Sequence, residues 1–309
     1  MRLGGLAAAS VGIVAVAGAA AGGPPGRWVQ AASMPEARTE VAVAALNGRI
    51  FVVGGFGGSG ALLEYDTAAD RWRQRAAPPA NLNHAGAVVL GDRLYVVGGY
   101  TESWQPVAST LIYDPGADQW RTGPPLPTAR GALAVAVLDG RIHAVGGAGP
   151  GRRNTAAHEV YDPAADRWTG LAPLPTPRDH HAAAVVDGRL YVVGGRVDGS
   201  YARNLAVNEE YDPRTNRWRA RAPLPTPRSG IAAVTLADKV FVFGGEAPAG
   251  TFDQVEAYEP STDAWTAWAP MPTARHGLGA AVVGRRIFVI SGGPTPGGSS
   301  SRANEVLMP

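Results

Sequence analysis

Trp168 to Gly195 reads WTGLAPLPTPRDHHAAAVVDGRLYVVGG, and the order of its parts decides the fold. A tryptophan is followed by a proline-rich segment ending at Arg178. An apolar run, the pair Asp187-Gly188, a second apolar run and Gly194-Gly195 complete it. This unit occurs six times. Trp28, Trp72, Trp120, Trp168, Trp218 and Trp265 stand at one constant distance before Gly54, Gly98, Gly146, Gly194, Gly244 and Ser291 (28 to 54, 168 to 194). Only the copy at Ser291-Gly292 lacks two glycines. A spacing that never slips marks one structural unit used repeatedly, so the 309 residues read as a single array rather than two ordinary domains.

The first copy shows how the unit folds. Asn47-Gly48 lies between the apolar run 41–46 and the run 49–53. Asn-Gly between β-prone runs predicts a type I′ hairpin, whose strands we call a and b. Equivalent turns are Gly91-Asp92, Asp139-Gly140, Asp187-Gly188, Ala237-Asp238 and Gly284-Arg285. Both strands are apolar nearly throughout, as expected when both faces are covered. A third strand, c, ends in Tyr65-Asp66, Tyr113-Asp114, Tyr161-Asp162, Tyr211-Asp212 or Tyr258-Glu259. Each of these tyrosines keeps a fixed distance from the next tryptophan (65 to 72, 258 to 265), so c and d form a second hairpin of constant length. Four antiparallel strands per repeat predict a propeller blade.

The glycine pair ending strand b, the Tyr-Asp of strand c and the spaced tryptophan of strand d resemble the kelch repeat, over nearly all of residues 27–309. The resemblance implies an all-β fold, a six-bladed kelch-type β-propeller. The two ends are incomplete copies. Trp28 has no strand c before it, and Glu305-Val306-Leu307-Met308 has no tryptophan after it. The last blade is therefore expected to be closed by the N-terminal strand, which removes the open sheet edges. Ser291 and Leu307-Met308 depart from the family pattern, so the closing blade is expected to be the least well packed. Kelch propellers include binding modules, adaptors and a few enzymes, so the resemblance by itself assigns no function.

Residues 1–26 are expected to be a signal peptide and short linker. Arg2 precedes a weakly apolar run rich in alanine and glycine, small residues suit cleavage near 17–21, and Gly22-Gly23-Pro24-Pro25 breaks any helix. A secreted or periplasmic location follows as an expectation, with no stable membrane insertion after cleavage. A net charge of +2 without a dense basic run argues against nucleic acid. There is no cysteine, which excludes disulfides, thiolate metal sites and the cysteine-crosslinked tyrosine of kelch-like copper oxidases. A monomer without cofactor or metal is expected. His180-His181 on an extended segment point apart and cannot chelate a metal together without other ligands. The G-x-G-x-x-G match at Gly55–Gly60 leads into a strand rather than a helix and is accidental.

All length variation falls between strands b and c, from 54–65 at its shortest to 194–211 at its longest. In an up-and-down blade the b–c and d–a loops share one face, and variable loops on a rigid scaffold are where function usually sits. The d–a loops carry Arg38, Arg130, Arg178, Arg228 and Arg275, with Leu82 breaking the series. Arginines this regular serve either as loop braces or as ligand contacts. Two positions on stand Glu40, His84, Ala132, His180, Gly230 and Gly277, with Asp179 beside His180. The b–c loops add Trp104, Arg152, Arg196, Tyr201, Arg203 and Glu246. Trp104 lies outside the repeated positions and is either a stacking platform or a loop residue folded back and buried against the neighbouring blade. The candidate ligand-binding set is Glu40, His84, Trp104, Arg152, Arg178, Asp179, His180, Tyr201 and Arg203. On the opposite rim, Arg49, Arg93, Arg141, Arg189, Lys239 and Arg286 read as a solvated hairpin position.

Two ligand-directed functions fit this pattern, beside a purely architectural role with no small ligand. One is an exported module binding a glycan, peptide or protein on the d–a/b–c face. The other is a sugar-processing enzyme resembling the kelch sialic acid mutarotases, with acid–base groups from Glu40, His84, Asp179 and His180. Deep, polar, clustered residues at the channel mouth favour the enzyme, and a flat aromatic face favours binding.

Overall fold

The computed structural model describes residues 23–309, and most of the expected leader lies outside the described residues. Six four-stranded antiparallel sheets surround a central channel. Blade 1 comprises Ala42–Leu46, Arg49–Val53, Leu62–Asp66 and Arg71–Arg75 as strands a to d. Blade 4, the most regular copy, comprises Ala182–Val186, Arg189–Val193, Asn208–Asp212 and Arg217–Ala220. Strand a of each blade packs beside strand a of the next, and that of blade 6 packs beside blade 1. No described helix is long and apolar enough to cross a membrane.

The closure is the expected one. Blade 6 takes strands a to c from Gly279–Val283, Arg286–Ile290 and Asn304–Met308, and strand d from Arg27–Gln30. The register pairs Arg27 with Met308 and Gln30 with Glu305. The expectation of poor packing there is corrected. Leu307 is fully buried where other blades have tyrosine, and Trp28 packs against the same cluster. Ser291 is also fully buried, and its hydroxyl donates to the Arg38 carbonyl at 2.6 Å. The two family departures fill the seam instead of loosening it.

Turn chemistry follows residue type. Asn47-Gly48, Asp139-Gly140 and Asp187-Gly188 have positive φ at both central positions, as type I′ requires. Gly91-Asp92 and Gly284-Arg285 have it at the glycine alone, which is the type II′ pattern. Apolar clusters fill every gap between blades, built chiefly from strands b and c of one blade and strands a to c of its neighbour.

The repeated aromatics tie blades together. Tyr65 and Trp72 are cross-strand partners with ring centroids 4.8 Å apart. The Trp72 indole donates to the Ala32 carbonyl ahead of its own blade, as Trp120 does to Ala76 and Trp218 to Ala172. Each tyrosine hydroxyl donates to an Asp or Asn of positive φ in the c–d turn, as Tyr113 does to Asp118. The basic ring on the opposite rim is largely paired at home. Arg93, Arg141, Arg189 and Lys239 meet Asp114, Asp162, Asp212 and Glu259 at the end of strand c.

Blade 3 departs from this pattern by burying two histidines. His158 Nδ1 faces the Ala172 carbonyl at 3.1 Å, so that nitrogen carries the proton. Its Nε2 then accepts from His143 Nδ1 at 2.9 Å, and both rings are neutral. Burial depresses them first, to about 4 for His143 and about 3 for His158. Folded values thus lie below the unfolded value of about 6.5. Above that pH both states are neutral and the pair contributes nothing. Between about pH 6.5 and 4 only the unfolded chain takes protons, and stability falls by roughly 1.4 kcal/mol per pH unit for each ring. Other blades have Phe51 or Phe241 at the first position and Asn208 or Asn304 at the second. His143→Phe with His158→Asn will therefore keep the carbonyl bond, which Asn208 makes to Ala222, and flatten the acid dependence. Urea midpoints between pH 7 and 4.5 that run parallel in variant and wild type would refute this assignment.

Candidate functional site

The site is built on the d–a loops. In each, prolines restrict the chain and remove backbone donors, and in every blade but blade 2, which has Leu82, a buried arginine then locks the loop onto its blade. Arg178 is fully buried and donates to the carbonyls of Gly194 (2.8 Å), Val192 (2.9 Å) and Thr176 (2.8 Å) and to Glu209 (2.5 Å). This corrects its place in the candidate set: all three guanidinium nitrogens are bonded inside blade 4, and Arg178 is a brace.

Two residues beyond, the chain turns into the left-handed region at Glu40, His84, Ala132, His180, Gly230 and Gly277. There the backbone forms a closed circle of hydrogen bonds. Glu40 donates to Gly277, Gly277 to Gly230, Gly230 to His180, His180 to Ala132, Ala132 to His84 and His84 to Glu40, at 2.7–3.1 Å. The circle narrows the channel and brings six residues around one point. Three of them are minimal, which leaves room for the others. A Cβ at Gly277 would lie 2.5 Å from Glu40 Oε1, so that glycine makes space for the carboxylate. Ala132 lets His84 and His180 meet across it, with ring centroids 4.9 Å apart.

Above the circle lies a pocket of about 290 Å³. Glu40, His84, Trp104, Arg152, His180 and Tyr201 line it, six of the nine candidates. Asp179 lies beneath, 2% exposed, with Oδ1 2.5 Å from His180 Nδ1 and Oδ2 accepting from Asn154 at 2.6 Å. It therefore orients the site and does not face the pocket. Arg203 does not line it either, and is corrected: it pairs with Asp198 on the exposed blade 4 loop. Trp104 is partly packed and partly open to the pocket. The indole is 37% exposed, yet it packs on His84 at 5.2 Å and Phe56 at 5.4 Å, and the Arg152 guanidinium lies 4.2 Å over its ring.

Sequence reasoning left Phe56, Arg196, Glu246 and His276 out of the set, although they line the same pocket. The signal was present. Phe56, Arg196 and Glu246 directly follow the glycine pair, and this position bridges the residue after the brace in every blade, as Thr39↔Phe56, Asp179↔Arg196 and Ser229↔Glu246. Aligning the copies at that position points each side chain toward the circle. His276 is the blade 6 member of the partner position, bridged to Gly293.

The floor is densely charged. Arg196 donates to Glu246 at 2.7 Å, to Asp179 at 3.2 Å and to His180 Nε2 at 2.9 Å. His276 Nε2 lies 3.7 Å from both Glu40 and Glu246. Burial opposes ionisation of Glu40, but the positive charge around it, of which the Arg196 guanidinium is the permanent part, outweighs burial and holds the carboxyl below its usual range. Burial keeps His84 neutral by lowering it to about 3, against the pull of Glu40 3.3 Å away. A carboxylate and an uncharged imidazole thus share the pocket floor. Together they offer a proton acceptor and a ligand set for a cation.

A closed ring of six four-stranded blades with its polar pocket at the d–a/b–c mouth defines a β-propeller built from repeats. The profile of the KLHDC2/KLHL20/DRC7 Kelch-repeats domain matches residues 127–293, and that of the Kelch motif matches residues 82–127. The chain belongs to the kelch-repeat family. A solved structure titled "Structure of YjhT" is similar at a TM-score of 0.78 and 17% identity, covering 89% of this chain and 95% of that one, a likeness of fold. No curated protein matches the chain.

Proposed function

We propose that this propeller acts on a small polyhydroxylated ligand, of the size of a monosaccharide, at the mouth of its channel. The observation that carries this reading is the shape and lining of the pocket. About 290 Å³ suits one sugar ring or one side chain. Trp104 and Tyr201 offer flat apolar faces to the C–H side of a ring, while Glu40, Arg196 and Glu246 meet hydroxyls. Arg152, whose guanidinium lies over Trp104, favours an acidic sugar. Export of the protein to a compartment holding such ligands is part of the proposal and rests on the leader-like residues 1–26.

Calorimetry with neutral hexoses and sugar acids tests it. The wild type is expected to bind at least one of them. Trp104→Ala is expected to weaken that binding about tenfold, the value of one aromatic contact. Arg141→Ser, on the opposite rim, is expected to change nothing. Failure to bind any monosaccharide, with capture of a peptide or protein abolished by the same Trp104→Ala, would return the protein to the interaction modules.

A second reading, catalysed interconversion of sugar anomers, is favoured by the Glu40 carboxylate 3.3 Å from an unprotonated imidazole nitrogen of His84. Exchange between anomers measured by NMR should then be faster than in buffer and should slow in Glu40→Gln. Equal rates with and without protein would leave binding alone.

A further inference from the structure

We propose that Glu40, His84 and His180 form a binding site for a divalent transition-metal ion of the zinc class at the floor of the pocket. Their donor atoms lie within 4.8 Å of one another, although the residues come from the d–a loops of three different blades. Geometry around each ligand, not proximity alone, carries the inference.

The His84 ring is oriented by its neighbour. Asn83 Nδ2 donates to the Thr101 carbonyl at 3.3 Å, which turns Asn83 Oδ1 toward His84 Nδ1 at 2.7 Å. Nδ1 therefore carries the proton, and Nε2 presents a lone pair. That lone pair faces Glu40 Oε2 at 3.3 Å. With the ring neutral, two acceptors face each other at the pocket floor, an arrangement that a cation between them satisfies. Two ligands each about 2.0–2.1 Å from a tetrahedral zinc lie about 3.3–3.4 Å apart, so the pair has that spacing already.

His180 is prepared in the same way. Its Nδ1 donates to Asp179 Oδ1 at 2.5 Å, leaving Nε2 as the inward acceptor. A carboxylate or amide behind each histidine fixes tautomer and direction, as outer partners do in metal sites. In the structure Arg196 Nη2 donates to His180 Nε2 at 2.9 Å. Coordination exchanges this one bond, and Arg196 retains Asp179 and Glu246. The carboxylates of Glu40, Asp179 and Glu246 outnumber that guanidinium and favour added positive charge. Two histidines and a glutamate leave a coordination position open toward the pocket, where an oxygen of the ligand would bind.

The site also gives meaning to His180-His181. The two rings do point apart, His181 Nε2 turning to the Val145 carbonyl at 3.1 Å. The further ligands that His180 needs come from blades 1 and 2.

The experiment is a calorimetric titration of Zn²⁺ into tag-free, chelator-treated protein, with no sugar present. This separates it from the ligand reading on which only the use of the open position rests. One Zn²⁺ per chain is expected, with a rise in melting temperature. His84→Gln and Glu40→Gln are each expected to weaken binding at least a hundredfold. Asn83→Ala, which removes the partner behind His84 and no ligand of the ion, is expected to weaken it 10–100-fold. His143→Phe removes an unrelated buried histidine and is expected to leave binding unchanged. Absence of Zn²⁺ binding in the folded wild type, or equal binding in wild type, His84→Gln and Glu40→Gln, would overturn the proposal.

Discussion

Replacing Arg178 by leucine is expected to cost about 3–5 kcal/mol, and replacing Glu209 by leucine as well is expected to return most of it. The single substitution strands the Glu209 carboxylate, which is 6% exposed and has only the Thr176 hydroxyl as its other side-chain partner, at 2.7 Å. An unpaired buried charge is the costly part, because desolvation of the pair is already nearly as large as its attraction. The double substitution has a precedent within this chain. Arg130–Glu159, Arg228–Glu256 and Arg275–Glu305 repeat the pair in blades 3, 5 and 6. Blade 2 has Leu82 and Leu111 at the two positions, both buried in one apolar cluster, and Ala80 where the others have threonine. Arg178→Leu/Glu209→Leu with Thr176→Ala copies blade 2 in full. Urea midpoints decide the matter. A double variant no more stable than the single would mean that the apolar solution does not transfer between blades.

Removing residues 1–30 is expected to abolish cooperative unfolding altogether, whereas removing 1–22 is expected to leave it. The longer deletion takes strand d from blade 6 and exposes Asn304–Met308 as an open edge. It also removes the Trp28 ring from its edge contact with Phe243, 6.3 Å between centroids, and its indole bond to the Ala269 carbonyl at 2.9 Å. These contacts join the first and last parts of the chain, so every blade interface depends on them for ring closure. A peptide spanning 24–36 added in trans should restore the transition by adding the missing strand. Melting followed by circular dichroism tests this, and identical curves for the two truncations would show that the seam does not hold the ring.

How far the sequence could be read depended on distance along the chain. Hairpin turns, strand lengths and the Tyr–Trp pairing are set by neighbours within a few residues. Sequence alone therefore determined the blade, the blade count and, from Trp28 and the unfinished copy at 305–308, the closure. The site was partly visible for the same reason: Glu40, His84 and His180 share one offset from the brace, and Trp104 breaks the tryptophan spacing. Only the tertiary structure decided what those residues do together. Arg178 looked equally fit for a ligand until its donors were seen spent on Gly194, Val192 and Glu209. Arg196 and Glu246 belong to different blades, and nothing local announces their bond at 2.7 Å. His84 and His180 meet because Ala132 between them is small and because six backbone bonds close a circle. Contacts of that kind are set by the radius of the closed ring, which belongs to all six blades at once and to no stretch of sequence.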